Sequence, residues 1–377
     1  MAREKPTRVI LQTGLQTLLH RTLAQSFLEE PRTALYVIVT REHSGEYDSL
    51  SGGLSKAQRA RLHTVEGNVA SMNLGLEGDT YRKLITQITE IHHTAELAWK
   101  QSLPKSMEAV NVEGTREVLE LAGACKELQR FCHWSTVWVC GDSEGVVMED
   151  ELAKTCPSKA PYRSSKWMAE RLVRRWARRL PVTIFRPGIP ACHSRTGELD
   201  STSPLVDLME RVLAQDTGKS PSHESASRAP LHIVPVDYLA QAGNLLASRE
   251  SSKNKTYHLV DPSPLSLARF YELARRKAHR PTQEPDGVDG LKSLFNLGWL
   301  PRPLSRALGP LKQVEPSPRI PTQKVLFNHI ETIKALSRSD VRCPRVDSYT
   351  QKMVRWVERS LEKHASKSFE AIPDPLD

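Results

Sequence analysis

No run of about 18 apolar residues occurs in this 377-residue chain, which excludes a membrane-spanning helix. An apolar leader is missing as well. Met1 to Pro6 is polar, and the apolar stretch from Val9 stops at Gly14, the mark of a short buried strand rather than a secretory segment. A cytoplasmic location is therefore expected. Cysteine is sparse and unpaired: the six residues at 125, 132, 140, 156, 192 and 343 form no CxxC pair. Cys132-His133 lacks a second ligand pair at zinc-site spacing, so no metal is expected and the thiols read as reduced and mostly buried. Internal repeats and nucleic-acid motifs are absent too.

What is present describes a globular α/β chain. Hydrophobic residues make up 39% and charged residues 26%, and the length suits two units. Short apolar strands alternate with helices. The strands are read at Arg8–Gln12, Ala34–Thr40, His63–Glu66, Glu90–Thr94, Arg130–Val139 and Val182–Phe185. The intervening helices are read to about Glu30, over 79–89 and 111–125, and from Pro161 to Leu180. Such alternation implies a doubly wound parallel sheet. Residues 215–229 read as a loop, and Leu231–Val234 and Thr256–Val260 as two further strands. From Pro264 onward, helices broken by prolines suggest an irregular cap, with 281–321 linker-like and a last amphipathic helix over 348–363. The expected division is 1–188 with a returning segment 231–261, a smaller, mostly helical cap from 189–230 and 262–363, and a disordered tail at 364–377.

Part of the net charge of +9 lies on one segment, where Arg171, Arg174, Arg175, Arg178 and Arg179 recur at helical spacing. Two readings stand: an ordinary solvated face, or a docking face for an acidic protein partner. Net charge alone is a weak argument for nucleic acid, and none is expected.

The most specific chemistry is Ser135-Thr136 at a strand end followed by Tyr162 and Lys166, four apart on a helix and so on one face. A phenol of pKa near 10 is a poor proton carrier at neutral pH, and a nearby ammonium favours its phenolate. A neighbouring hydroxyl can then hold a carbonyl oxygen while Tyr162 moves the proton. A surface Tyr and Lys on an amphipathic helix is the bland alternative.

The chain resembles the extended short-chain dehydrogenases/reductases, and within them the thioester-reductase or male-sterility-like, NAD-binding branch. The resemblance rests on Gly67-Asn68-Val69, Leu74-Gly75-Leu76, His92-His93-Thr94-Ala95, Asn111-Val-Glu-Gly-Thr115, His133-Trp-Ser-Thr136 with Gly141-Asp142, and the Tyr162–Lys166 element. Arg186-Pro187-Gly188, His193-Ser-Arg-Thr-Gly197 and Val234-Pro-Val-Asp-Tyr238 complete it, over residues 8 to 363. It implies a Rossmann-type fold and a catalytic set of Thr136, Tyr162 and Lys166, with Thr136 chosen over Ser135 as the residue five before Gly141. It also implies a nicotinamide cofactor held by Thr13, Gly14, Thr17, Asn68, Thr94, Ala95, Lys166, Arg186 and Pro187. The substrate implied is a small-molecule carbonyl or a carrier-bound acyl group. In relatives the helix bearing Tyr162 and Lys166 often forms a dimer surface, which makes a homodimer a further expectation.

One departure stands out. The family pattern TGxxGxxG would occupy Thr13 to His20, and only Gly14 survives; Thr17 and His20 replace glycines that admit the pyrophosphate and the helix. Asn68 stands where the family usually has an acid near the adenine. Arg41 after the second strand suits a 2′-phosphate, favouring NADP over NAD, although a plain strand-end arginine reads equally well. Two functions follow: an NAD(P)H-dependent reductase of a carbonyl or thioester, or an inactive scaffold or sensor that keeps the fold and binds an acidic partner.

Overall fold

The computed structural model describes residues 6–40, 44–97, 103–201, 203–214, 228–278 and 324–370. Arg41, the proline-rich stretch and most of the 215–229 loop lie outside the described residues. Eleven strands occur among those described: β1 Arg8–Gln12, β2 Thr33–Val39, β3 Leu62–Glu66, β4 Glu90–His93, β5 Arg130–Trp134, β6 Gly145–Val147, β7 Val182–Pro187, β8 Ile189–Pro190, β9 Ile233–Val234, β10 Lys255–Leu259 and β11 Val325–Phe327. Seven of them form one parallel sheet in the order β10-β7-β5-β4-β1-β2-β3. The order reverses between β1 and β4, so the carboxyl ends of those two strands open the crevice where doubly wound sheets bind ligands. β1, β4, β5 and β7 are buried almost throughout, as strands covered on both faces must be.

Helix α1 (Leu18–Leu28) covers one face with Leu19, Leu23, Phe27 and Leu28, packed with Val236, Leu239 and Leu246 of the helix Val236–Ser248. Gly243 of that helix is needed for close packing, because a Cβ there would stand 2.5 Å from the Trp134 ring. The opposite face is closed by Val118, Leu119, Leu121 and Val173. A separate core lies under the helices Pro204–Ala214, Leu267–Ala278 and Val346–Glu370. No helix among the described residues is long and apolar enough to cross a membrane.

Several elements differ from the sequence reading. The fifth strand stops at Trp134, because Thr136 caps a tight turn over Val137–Cys140 by accepting from the Trp138 amide. Leu231–Val234 contributes only β9, which pairs with β8 outside the main sheet. The short parallel pair β6–β11 was not expected. The last helix runs on to Glu370, into the segment expected to be disordered; 371–377 lie outside the described residues.

The arginine face is also revised. The helix Pro161–Trp176 ends before Arg178 and Arg179, and Arg174 turns inward to Glu170, the Asp150 carbonyl and Thr256. Arg171 lies over the Trp167 ring. Arg171, Arg175, Arg178 and Arg179 are exposed. Five arginines do not share one solvated face.

Candidate active site

Thr136, Tyr162 and Lys166 gather beside one cavity of about 250 Å³ at the carboxyl edge near the switch point, with Lys166 buried behind its lining and joined to it by Glu96. Thr136 and Tyr162 line it together with Thr17 to His20, Thr94, Trp134, Trp138 and Pro187 to Ala191. Tyr162 and Lys166 sit one turn apart on the helix whose first residue is Pro161, a proline whose missing N–H costs nothing at that position. Asn111 holds that helix in place: its amide donates to Ser165 Oγ at 3.0 Å, and its other bonds go to the backbone of Leu97. Ser135 is committed elsewhere, donating to the buried Glu170 at 2.7 Å.

Lys166 Nζ donates to the Trp134 carbonyl at 2.7 Å and pairs with Glu96 Oε2 at 2.9 Å. The same Glu96 oxygen accepts from the Tyr162 hydroxyl at 3.2 Å. Sequence reasoning missed Glu96. The available signal was an acid directly after Thr94-Ala95, at the end of the strand next to the switch point. Burial, reinforced by the Glu96 carboxylate, pushes the Tyr162 phenol well above its ordinary range, although the Thr136 hydroxyl opposes this. Tyr162 is therefore a protonated phenol here, not the phenolate that the Tyr–Lys spacing alone suggested.

The other predicted positions separate into two groups. Thr17, Thr94 and Pro187 line the cavity, whereas Gly14 packs against Ala95, whose Cα lies 3.5 Å from where a Gly14 Cβ would stand. Gly14 has a φ of +150°, and a Cβ there would come within 2.6 Å of Gln16 Oε1. Thr17 does not fill the seat; it caps α1, its Oγ1 accepting from the His20 amide at 3.2 Å. His20 finds room as a buried cavity wall, its Nδ1 without a partner, and burial lowers its pKa to about 4.

The other described positions do not line the cavity. Thr13 spends its hydroxyl on His93 and on the amides of Thr94 and Ala95, so its side chain is not turned to a ligand. Arg186 is 1% exposed and donates to Glu170, His258 and the carbonyls of Glu149 and Glu151. Its assignment to a cofactor is corrected: the guanidinium braces the sheet. Asn68 is exposed and its Oδ1 accepts from the Ala70 amide. Arg41 lies outside the described residues. His92 and His93 are buried packing residues bonded to Glu90, Trp134, Thr13 and Thr115. Glu90, His92 and Cys132 cluster under α1, but the Glu90 carboxylate is taken by Arg8 at 2.7 Å and by His92.

The polar atoms at the cavity fit a nicotinamide dinucleotide in kind. The Leu18 amide at the head of α1 donates to the Asp200 carboxylate at 2.8 Å, so this helix terminus already holds an anion. The ammonium of Lys166 and the hydroxyl of Tyr162 hold a second acceptor group, Glu96.

A doubly wound parallel sheet with threonine, tyrosine and lysine gathered at its carboxyl edge defines an extended short-chain dehydrogenase/reductase. Within that class the chain belongs to the NAD-binding male sterility protein family, whose sequence model matches residues 37–243, more than half of the chain. It is 28% identical over 291 residues to a carboxylic acid reductase of Mycobacterium tuberculosis, covering 68% of this chain and 24% of that protein. It is 26% identical over 358 residues to a linear gramicidin synthase of Brevibacillus parabrevis, covering 89% of this chain and 7% of that one. Among solved structures, the terminal R domain of the myxalamid PKS-NRPS pathway superposes with a TM-score of 0.75 at 28% identity, covering 94% of this chain and 91% of that one. The chain spans between 7% and 25% of the length of the first curated relatives it matches.

Proposed function

We propose that this chain is an NAD(P)H-dependent oxidoreductase that reduces a carbonyl or an acyl thioester, with Thr136, Tyr162 and Lys166 as its catalytic set. The observation that carries this reading is that Thr136 and Tyr162 line one cavity at the switch point, with Lys166 linked to Tyr162 behind it through Glu96. Its walls are largely apolar, built by Leu18, Trp134, Trp138, Ile189 and Val236, which suits an acyl chain. The names of the relatives, a carboxylic acid reductase and a linear gramicidin synthase among them, support an acyl substrate delivered on a carrier. Arg41 supports NADP over NAD.

Each residue has a defined task. The Thr136 hydroxyl donates to the substrate carbonyl oxygen and fixes it beside Tyr162. Tyr162 then hands its proton to that oxygen, and its raised pKa keeps the proton in place until then. Lys166, anchored on the Trp134 carbonyl, keeps a cation next to the phenol as negative charge develops. A bound nicotinamide would supply the hydride. Residues Thr17, Leu18, Thr94 and Pro187 would hold it, with Lys166 on its hydroxyls.

The test follows loss of NADPH absorbance on addition of an acyl-pantetheine thioester. Tyr162→Phe is expected to lower turnover by about 10²-fold or more while cofactor affinity stays near the wild-type value. Undiminished turnover in that variant removes Tyr162 from its role.

A further inference from the structure

We propose that Asp200 and Glu96 set how tightly this chain holds a dinucleotide, because their carboxylates sit on the two polar seats that its diphosphate and ribose hydroxyls require. This rests on the reductase reading. The first seat is the amide of Leu18 at the amino end of α1, the site at which a doubly wound sheet offers N–H groups and a positive dipole end to phosphate. Here Asp200 Oδ2 takes that amide at 2.8 Å. Asp200 does not belong to the main sheet: it lies between β8 and the helix Pro204–Ala214, in a turn closed by its own carbonyl and the Ser203 amide at 2.9 Å. The second seat is the Lys166 ammonium and the Tyr162 hydroxyl, bridged by Glu96 Oε2 at 2.9 and 3.2 Å, with Tyr162 and Glu96 lining the cavity.

Both carboxylates line the same cavity, so an incoming diphosphate meets two negative groups at short range and must displace each from a hydrogen bond. The cationic side chains described around the cavity are engaged with other partners. Among the other titratable walls, His20 is held neutral at pH 7 by burial, and Arg163 spends its guanidinium on Asp142 and the Gly141 carbonyl. Arg21 spends guanidinium bonds on the carbonyls of Leu15 and Gln16 in the altered loop. Lys166 is already shared between Glu96 and the Trp134 carbonyl. The altered glycines of the loop are thus joined by two acids supplied from outside it.

Asp200→Asn and Glu96→Gln remove the charge and keep an oxygen that can accept the same hydrogen bonds. Isothermal titration of the full chain with NADPH and with NADH is compared for wild type, both single variants and the double variant. Each single variant is expected to bind about tenfold more tightly, a gain of about 1.4 kcal/mol, and the double variant by about the product. With inorganic pyrophosphate as the probe, only Asp200→Asn is expected to bind more tightly, since that probe reaches only the first seat. Should Asp200→Asn fail to fold, Asp200→Ser removes the same charge and takes its place. Measurable binding of equal strength in wild type and variants overturns the proposal and leaves the reductase reading standing. Absence of saturable binding in all four chains overturns the cofactor reading itself.

Discussion

Arg186 grips Glu170 with two parallel bonds, Nη2 to Oε1 at 2.7 Å and Nε to Oε2 at 3.0 Å, and neither residue is more than 1% exposed. The same carboxylate accepts from Ser135 Oγ and Arg174 Nε, so this pair anchors the strand end next to Thr136. Burial by itself would raise the Glu170 pKa; the two guanidiniums and the Ser135 hydroxyl overcome it and hold the acid at about 2. Removing one member of such a pair strands the other's charge in the core. Glu170→Gln is expected to cost about 3–5 kcal/mol in urea unfolding, and Glu170→Gln with Arg186→Met less than the sum of the two singles. A loss below about 1 kcal/mol for Glu170→Gln would show that the pair is not a brace.

Arg174 and Arg178 are expected to behave differently although the sequence groups them. Arg174 has three partners inside the fold, and its side chain is 28% exposed. Arg178 is exposed beyond the end of the helix. Arg174→Ala should lower stability by about 1–3 kcal/mol, whereas Arg178→Ala should stay within about 0.5 kcal/mol of wild type. Thermal melting of the two variants decides this, and equal melting points would restore the single solvated face. A binding assay that relies on reversing the charge at Arg174 would confuse unfolding with lost capture.

The parallel sheet was legible because β1, β2 and β7 carry apolar runs such as Val-Ile-Leu and Tyr-Val-Ile-Val and alternate with helices. Tyr162 and Lys166 were legible because a helical turn fixes their relation whatever surrounds them. Arg186 was misread because a motif gives a residue's place in the chain but not the direction of its side chain, and that direction is set by Glu170 from another element. Glu96 and Asp200 could not be paired with Lys166 and Leu18 from sequence, since those contacts span 70 and 182 residues of chain. The strand end at Trp134 was overrun for a similar reason. Val137 and Val139 continue an apolar pattern, and only the Thr136 cap turns it into a tight turn.

Thr17 is the residue in the altered loop whose replacement gives the clearest reading of its two effects. It caps α1 through the His20 amide, so Thr17→Ala should cost about 1 kcal/mol of stability, while Thr17→Gly should cost only a few tenths. Both variants vacate the cavity wall that the Thr17 side chain forms. Urea unfolding and NADPH titration of the two are expected to show a stability difference, with affinity changed to a similar extent in both. Thr17→Gly and Thr17→Ala that are equally stable would mean that the cap bond contributes nothing.

Acid should destabilise the fold well before its carboxylates protonate, and His20, His93 and His258 are the cause. Burial lowers their folded-state pKa values to about 4, about 3 and about 3. In the unfolded chain each titrates near 6.5. Between those values the unfolded state binds more protons than the folded one, so stability rises with pH and is lost as pH falls from about 6.5 toward 3. Glu90 and Glu170, both held at about 2, add a further loss below about 4.5. The unfolding free energy measured in urea should therefore fall steadily from pH 7 to pH 4. One histidine contributes a slope of about 1.4 kcal/mol per pH unit at most. His20→Gln removes one titrating group from the unfolded chain, and the slope between pH 6 and pH 4.5 should drop by up to that amount. An unchanged slope in His20→Gln would mean that the ring is protonated, or reaches water, inside the folded cavity wall.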